Sequence, residues 1–250
     1  MKKKKAGKQA IRLNEEKTFG AGLSFAAAEA YRLLRTNVLF ALPDEGSCRV
    51  IGITSALGGE GKSTTSINLA YVLAEAGKRT LLVEADMRLP TIARRLKLEK
   101  GYGLSHLLAG LCTGKEAVRP SGLKDLLWVL PSGDIPPNPS ELLGSAQMKA
   151  SLAALSGDFD FVLLDLPPLG EVSDALVVSQ LTSGMLLVVR QNYATRTAVA
   201  DAMRQLQYAQ AKVLGFVLTC AGGHGGKYGT YKKSGYGYGY AKAAQGADRA

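Results

Sequence analysis

The stretch Ser55-Ala-Leu-Gly-Gly-Glu-Gly-Lys-Ser-Thr64 narrows the possible folds more than any other part of the chain. It follows the apolar run Val50-Ile-Gly-Ile-Thr54 and leads into helix-forming sequence from Ile67 to Glu75. This is the strand–loop–helix setting of a phosphate-binding P-loop. Glycines at 58, 59 and 61 let backbone N–H groups curl round an anion without Cβ clashes. The helix N-terminus adds partial positive charge, and Lys62 can reach terminal phosphates. Ser63 offers a hydroxyl to Mg²⁺. Ala56 stands where the usual pattern begins with Gly, a site that mainly needs a small residue. Gly58, Gly59, Glu60, Gly61, Lys62, Ser63 and Thr64 are therefore the expected nucleotide-binding residues, with a nucleoside triphosphate as the ligand class.

A chain of 250 residues can bury one large α/β core. Apolar runs at Arg49–Thr54, Thr80–Ala85, Leu127–Leu130, Phe161–Asp165, Met185–Arg190 and Leu214–Thr219 read as strands. They lack polar alternation, as buried parallel strands do. Helical stretches near 61–76, 140–155, 173–181 and 195–209 lie between them, and Ser24 to Ala41 reads as an amphipathic helix capped by Ser24. The pattern predicts a doubly wound, mostly parallel α/β domain over 24–220. Residues 1–23, rich in Lys and Gly, are expected to be disordered. So is the Gly-rich segment 221–250, which has too few aliphatic residues for a core.

The formal charge of +10 gathers partly at the ends, at Lys2 to Lys5 and Lys8, and at Lys227, Lys232 and Lys233. Solvated tails and attraction to an anionic lipid surface both fit. No aromatic-interleaved basic face argues for nucleic acid. Cys48, Cys112 and Cys220 are far apart and lack metal-ligand spacing, so they read as cytosolic thiols. No apolar h-region follows the first lysines, and no apolar run of spanning length occurs. The expected location is the cytoplasm.

Phosphoryl transfer needs carboxylates to hold Mg²⁺ opposite the P-loop hydroxyl. Phe159-Asp-Phe-Val-Leu-Leu-Asp165 is an apolar strand delivering Asp165 to the carboxyl edge of the sheet, where ligands bind in open α/β folds. In Leu81-Leu-Val-Glu-Ala-Asp-Met-Arg88, Glu84 and Asp86 stand two apart and would share one strand face. Such a pair suits a water-mediated metal ligand and a proton acceptor, although one acid could merely cap the next helix. Five of the ten tyrosines, Tyr228, Tyr231, Tyr236, Tyr238 and Tyr240, fall in the last segment. They could be adhesive low-complexity sequence, base-stacking rings or phosphate acceptors.

Taken in order, these motifs resemble the bacterial tyrosine kinases (BY-kinases), in the separate cytoplasmic form associated with capsule and exopolysaccharide synthesis. Glu29-Ala-Tyr-Arg32-Leu-Leu-Arg35 is similar to the family's oligomerisation helix, although as plain sequence it is also a surface helix with one Glu–Arg pair. Ser55–Thr64, Leu81–Pro90 and Asp160–Pro168 resemble its Walker A, A′ and B motifs. Leu130-Pro-Ser-Gly-Asp-Ile-Pro-Pro-Asn-Pro-Ser-Glu-Leu-Leu143 resembles a further family stretch with no evident chemistry. The resemblance implies ATP and Mg²⁺ as cofactors, with Lys62, Asp86, Glu84 and Asp165 catalytic and Ser63, Asp165 and Asp86 around the metal. It makes the terminal tyrosines acceptors, phosphorylated between subunits of a ring built through Glu29, Arg32 and Arg35. It implies a transmembrane polysaccharide co-polymerase as activator, which recruits the kinase to the inner face of the membrane. An opposing phosphotyrosine phosphatase and further protein substrates are implied as well. The family's first Walker A′ acid is usually Asp; Glu84 is one methylene longer, which is expected to disturb the Mg²⁺ shell or proton abstraction. A partitioning-type ATPase switch is the alternative, but those loops carry an extra lysine where this chain has Leu57. An interaction scaffold with weakened chemistry is the other, motivated by Glu84.

Overall fold

Val50, Ile51 and Ile53 are buried along β1 (Arg49–Ser55), a strand covered on both faces. It lies in a seven-stranded sheet with β2 (Thr80–Glu84), β3 (Arg119–Pro120), β4 (Leu127–Leu130), β5 (Phe161–Asp165), β6 (Gly184–Arg190) and β7 (Val213–Thr219). A computed structural model describes residues 19–42 and 46–221. The strand order is β3-β4-β2-β5-β1-β6-β7, and every pairing is parallel except the β3–β4 edge pair, Arg119 opposite Val129. After β1 the chain moves to one side of the sheet for β2 to β4, returns for β5 beside β1, and continues on the other side. The P-loop leaves β1 at this switch point, at the carboxyl edge, where an α/β sheet opens a crevice.

Alternate residues feed two apolar layers. On one face Ile51, Ile53, Leu82, Phe161, Leu163 and Val188 pack with α1 (Phe25–Ala41) and α2 (Lys62–Glu75). On the other, Leu81, Val83, Val162, Leu164 and Leu187 meet α4 (Leu104–Leu108), α6 (Pro139–Leu143), α7 (Ala146–Ser156), α8 (Asp174–Ser179) and α9 (Arg196–Tyr208). Two short helices, α3 (Ile92–Arg95) and α5 (Gly114–Ala117), fill the path between β2 and β3. Each fully buried large apolar side chain contributes about 1.5–3 kcal/mol.

Helix α2 is buried nearly all round because α1 covers its outer side. Arg32 Nε and Nη2 donate to Glu75 at 3.0 and 3.1 Å, and Arg35 Nη1 donates to the Val72 carbonyl at 2.9 Å. Disorder was expected through residue 23, but Phe19 to Leu23 are placed. Gly20–Gly22 form a 3-10 turn, the Gly20 N–H donates to Asn68 Oδ1 of α2 at 3.0 Å, and Phe19 is buried. The helix expected over 140–155 is two helices. The Gly144 N–H closes α6 on the Ser140 carbonyl, and Ser145 Oγ caps α7 by accepting from the Met148 N–H at 3.1 Å. Edge strand β3 and helices α3 to α5 carry too few residues for periodicity to reveal. The described residues up to Thr219 form one compact unit. Of the second unit, 220–250, Cys220 and Ala221 are described.

Candidate active site

The loop between β1 and α2 is held from three sides. Gly59 and Gly61 adopt φ of +77° and +96°, which only glycine takes without strain, and Gly61 caps α2. Glu60 turns its carboxylate inward, fully buried, where it accepts from the Leu57 N–H at 2.7 Å and the Arg190 N–H at 3.2 Å. Thr219 Oγ1 donates to the Glu60 carbonyl at 2.7 Å, and Arg190 Nη1 to the Gly59 carbonyl at 3.3 Å. The segment after β5 zips onto the same strand, with the Leu169 and Gly170 N–H groups donating to the Ser55 and Ala56 carbonyls. A Cβ on Gly170 would stand 2.6 Å from the Ala56 oxygen, so that approach needs glycine.

Asp165 ends β5 opposite Ile53 of β1 and Glu84 of β2, and is 1% exposed. Ser66 Oγ donates to its Oδ1 at 2.9 Å, Ser63 also hydrogen-bonds to it, and the Lys62 ammonium is near enough to favour its charge. Burial nevertheless dominates and pushes the carboxyl up to about 6, with the Asp86 charge adding to the rise. A dry carboxylate beside a hydroxyl and a P-loop lysine is a place that gains from an added cation. The residues therefore fit a Mg²⁺–nucleotide ligand, for which Ser63 and Asp165 could supply oxygens.

Glu84 and Asp86 part company. Strand β2 ends at Glu84, so the two-residue alternation stops there. Glu84 is buried; Oε1 accepts from the Thr91 and Ile92 N–H groups at the start of α3, and Oε2 from the Ser132 N–H at 3.2 Å. Asp86 is half-buried in the loop beyond and accepts from the Leu89 N–H at 3.0 Å. Glu84 was expected as a catalytic acid beside Asp86; its oxygens serve three backbone amides, and the Asp86 charge acts electrostatically on Asp165.

Residues 48–213, more than half of the chain, match the family described as an AAA domain. Tyrosine-protein kinase YwqD of Bacillus subtilis is 39% identical over 209 residues, covering 84% of this chain and 85% of that protein. This chain belongs to the bacterial tyrosine kinases. Solved structures agree with the kinase assignment. The kinase domain of the Escherichia coli tyrosine kinase ETK has a TM-score of 0.73 at 32% identity, over 80% of this chain and 79% of that one. The chimerical protein CapA2B2 has a TM-score of 0.71 at 38% identity, over 75% and 82%.

Sequence reasoning brought Lys62, Ser63, Asp86 and Asp165 to one sheet edge, and the kinase structure does the same. Thr64 sits beside them, its hydroxyl accepting from Arg95 Nη1 at 3.0 Å. Glu60 braces the loop from inside, through its buried carboxylate as well as its carbonyl. Glu29 pairs with Arg32, whose guanidinium and that of Arg35 engage α2 within the same chain. The five tail tyrosines and the N-terminal lysines lie outside the described residues. Three neighbours of the loop escaped the motifs. Glu171 Oε1 accepts from the Gly58 N–H at 3.0 Å, and the Tyr193 ring lies under the Arg190 guanidinium at 5.1 Å. Arg190 ends a recognised strand, a weak signal that was available; Glu171 had none.

Glu84→Asp, which restores the family's usual acid, is expected to pull the carboxylate back from its amides. Stability should fall by about 1–3 kcal/mol, seen as a lower denaturant midpoint, with no rise in phosphotransfer. A faster enzyme would return Glu84 to the reacting centre.

Proposed function

We propose that the kinase transfers the γ-phosphoryl group of ATP to tyrosines in the 221–250 segment of a neighbouring copy, and that this governs capsular or exopolysaccharide synthesis and export. The observation that carries the reading is the meeting of Lys62, Ser63, Asp165 and Asp86 at the P-loop, in a chain ending with clustered tyrosines. Gly58 to Thr64 would hold the phosphates, and Ser63 and Asp165 the Mg²⁺, with Asp86 reached through water. When bound, Mg²⁺ supplies charge neutralisation at the phosphate oxygens. Lys62 adds positive charge where negative charge builds up. The tail phenol oxygen bonds to the γ-phosphorus as the bond to the ADP oxygen breaks. Asp86 orients the phenol, whose free pKa is about 10, and takes its proton. Positioning and charge supply most of the acceleration.

The tail's glycine spacing suits an extended chain entering a facing site. Subunits would meet as a ring through Glu29, Arg32 and Arg35. Among the described residues no helix is long and apolar enough to cross a membrane. A transmembrane polysaccharide co-polymerase would act as activator and bring the kinase to the inner membrane face. A phosphotyrosine phosphatase would reset it, and other proteins would serve as further substrates.

Replacing Tyr228, Tyr231, Tyr236, Tyr238 and Tyr240 together by Phe should remove most phosphotyrosine while leaving nucleotide affinity unchanged. Mass spectrometry of protein co-expressed with candidate membrane activators reads the result; equal labelling of the substituted chain places the acceptors elsewhere. Each phosphate adds roughly −1.5 to −2 charge, so accumulation should reverse the tail's sign and loosen the ring. Identical oligomers before and after dephosphorylation would contradict that step.

A further inference from the structure

The segment Leu130 to Leu143 had no evident chemistry as sequence, and the structure gives its Ser140 a place. Helix α6 presses on α8 so closely that a Cβ on Gly144 would stand 2.9 Å from Val177 Cγ1. That packing brings Ser140 to Asp174, the first residue of α8, which is fully buried. Ser140 Oγ donates to Asp174 Oδ1. Arg88 grips the same carboxylate with both arms of its fork, Nε to Oδ2 at 2.9 Å and Nη2 to Oδ1 at 3.1 Å, and Nη2 also donates to Ser140 Oγ at 3.0 Å. A bidentate guanidinium–carboxylate pair fixes orientation as well as distance. The pair joins three chain segments: the loop after β2, the start of α6, and the end of the loop that follows Asp165.

Arg88 stands two residues beyond Asp86 in a loop without regular structure. Asp86 accepts from the Leu89 N–H at 3.0 Å across the same turn, so what holds Arg88 also limits where that turn can lie. We propose that Arg88, Ser140 and Asp174 form a positioning clamp that fixes the Asp86 loop beside Asp165. The proposal rests on the role given to Asp86 above. Arg88 is a positioning residue here, acting through Asp86 and not on the substrate.

The test uses full-length Ser140→Ala, Ser140→Thr, Arg88→Lys and Asp174→Asn, each checked for folding by circular dichroism. Three readouts are compared: hydrogen exchange of residues 86–91 without nucleotide, MgADP affinity, and kcat and KM for ATP. Misplacement by an ångström can cost a hundredfold, so kcat should fall about 10- to 100-fold in the Ala and Lys variants. MgADP affinity and KM should stay within about threefold, and the Leu89 amide should exchange faster. Ser140→Thr, which keeps the hydroxyl, should recover most of kcat. A clamp acts as a unit, so the Ser140→Ala/Arg88→Lys double variant should lose little more than the worse single one. Unchanged Leu89 exchange, or full kcat in folded Ser140→Ala protein, overturns the clamp. A wild-type protein that hydrolyses ATP without labelling tyrosine overturns the kinase chemistry alone; the clamp is then judged on Leu89 exchange and the hydrolytic kcat.

Discussion

Lys62→Met should reduce tyrosine phosphorylation by about 10³-fold or more, equivalent to ~4 kcal/mol of lost transition-state stabilisation. Lys62 is almost wholly buried in the first turn of α2, where its flexible stem can be replaced by the similar volume of Met. The fold should therefore survive, because what is lost is a charge directed at the loop and at Asp165. Incubation with labelled ATP and a phosphotyrosine blot reads the effect. Persisting phosphotyrosine in the purified variant would mean that the P-loop does not carry the reaction.

Asp165→Asn should abolish phosphotransfer and yet stabilise the nucleotide-free protein at neutral pH. Burial is the main cause of the carboxyl's rise from 3.8 to about 6, and the sign follows from linkage. Below 3.8 the group is protonated whether folded or unfolded. As pH climbs from there through 6, the unfolded chain ionises first, so the stability this group contributes is lost across that window. Above it the full penalty stands, on the order of 1–3 kcal/mol after allowing for the Ser63 and Ser66 hydrogen bonds. For a chain of this size each kcal/mol moves the melting temperature by roughly 2–4 °C. Thermal melts of the two proteins should diverge near pH 7 and converge near pH 4. MgATP should raise the melting temperature of the unsubstituted protein more than that of Asp165→Asn. A variant less stable than its parent at pH 7 would show that the carboxylate holds the apo fold together.

The meeting of Lys62, Ser63 and Asp165 was legible because it depends on short contiguous patterns, each tied to a strand end. The longer strands were legible for a related reason: β1, β2, β4, β5 and most of β6 are buried on both faces and write continuous apolar runs, and the half-exposed β7 carries such a run as well. What escaped depends on contacts distant in sequence. Glu84 reads as a catalytic acid two residues from Asp86, and nothing local says that β2 stops there or that the Ser132 amide waits for it. Arg88, Ser140 and Asp174 are 34 to 86 positions apart, and their meeting is visible only once α6 packs on α8. Phe19 and Gly20 belong to a basic, glycine-bearing end by composition, yet one amide bond to Asn68 and one buried ring hold them.

Strand β1 has neighbours on both sides, β5 and β6, and apolar layers above and below. Its amides can exchange with solvent only when the whole domain opens, so they should be among the slowest in the molecule. The loop that would grasp phosphate is thus anchored to the last element to melt. Partial unfolding at the β3 or β7 margins would leave that anchorage standing, and a frayed molecule could still capture its nucleotide.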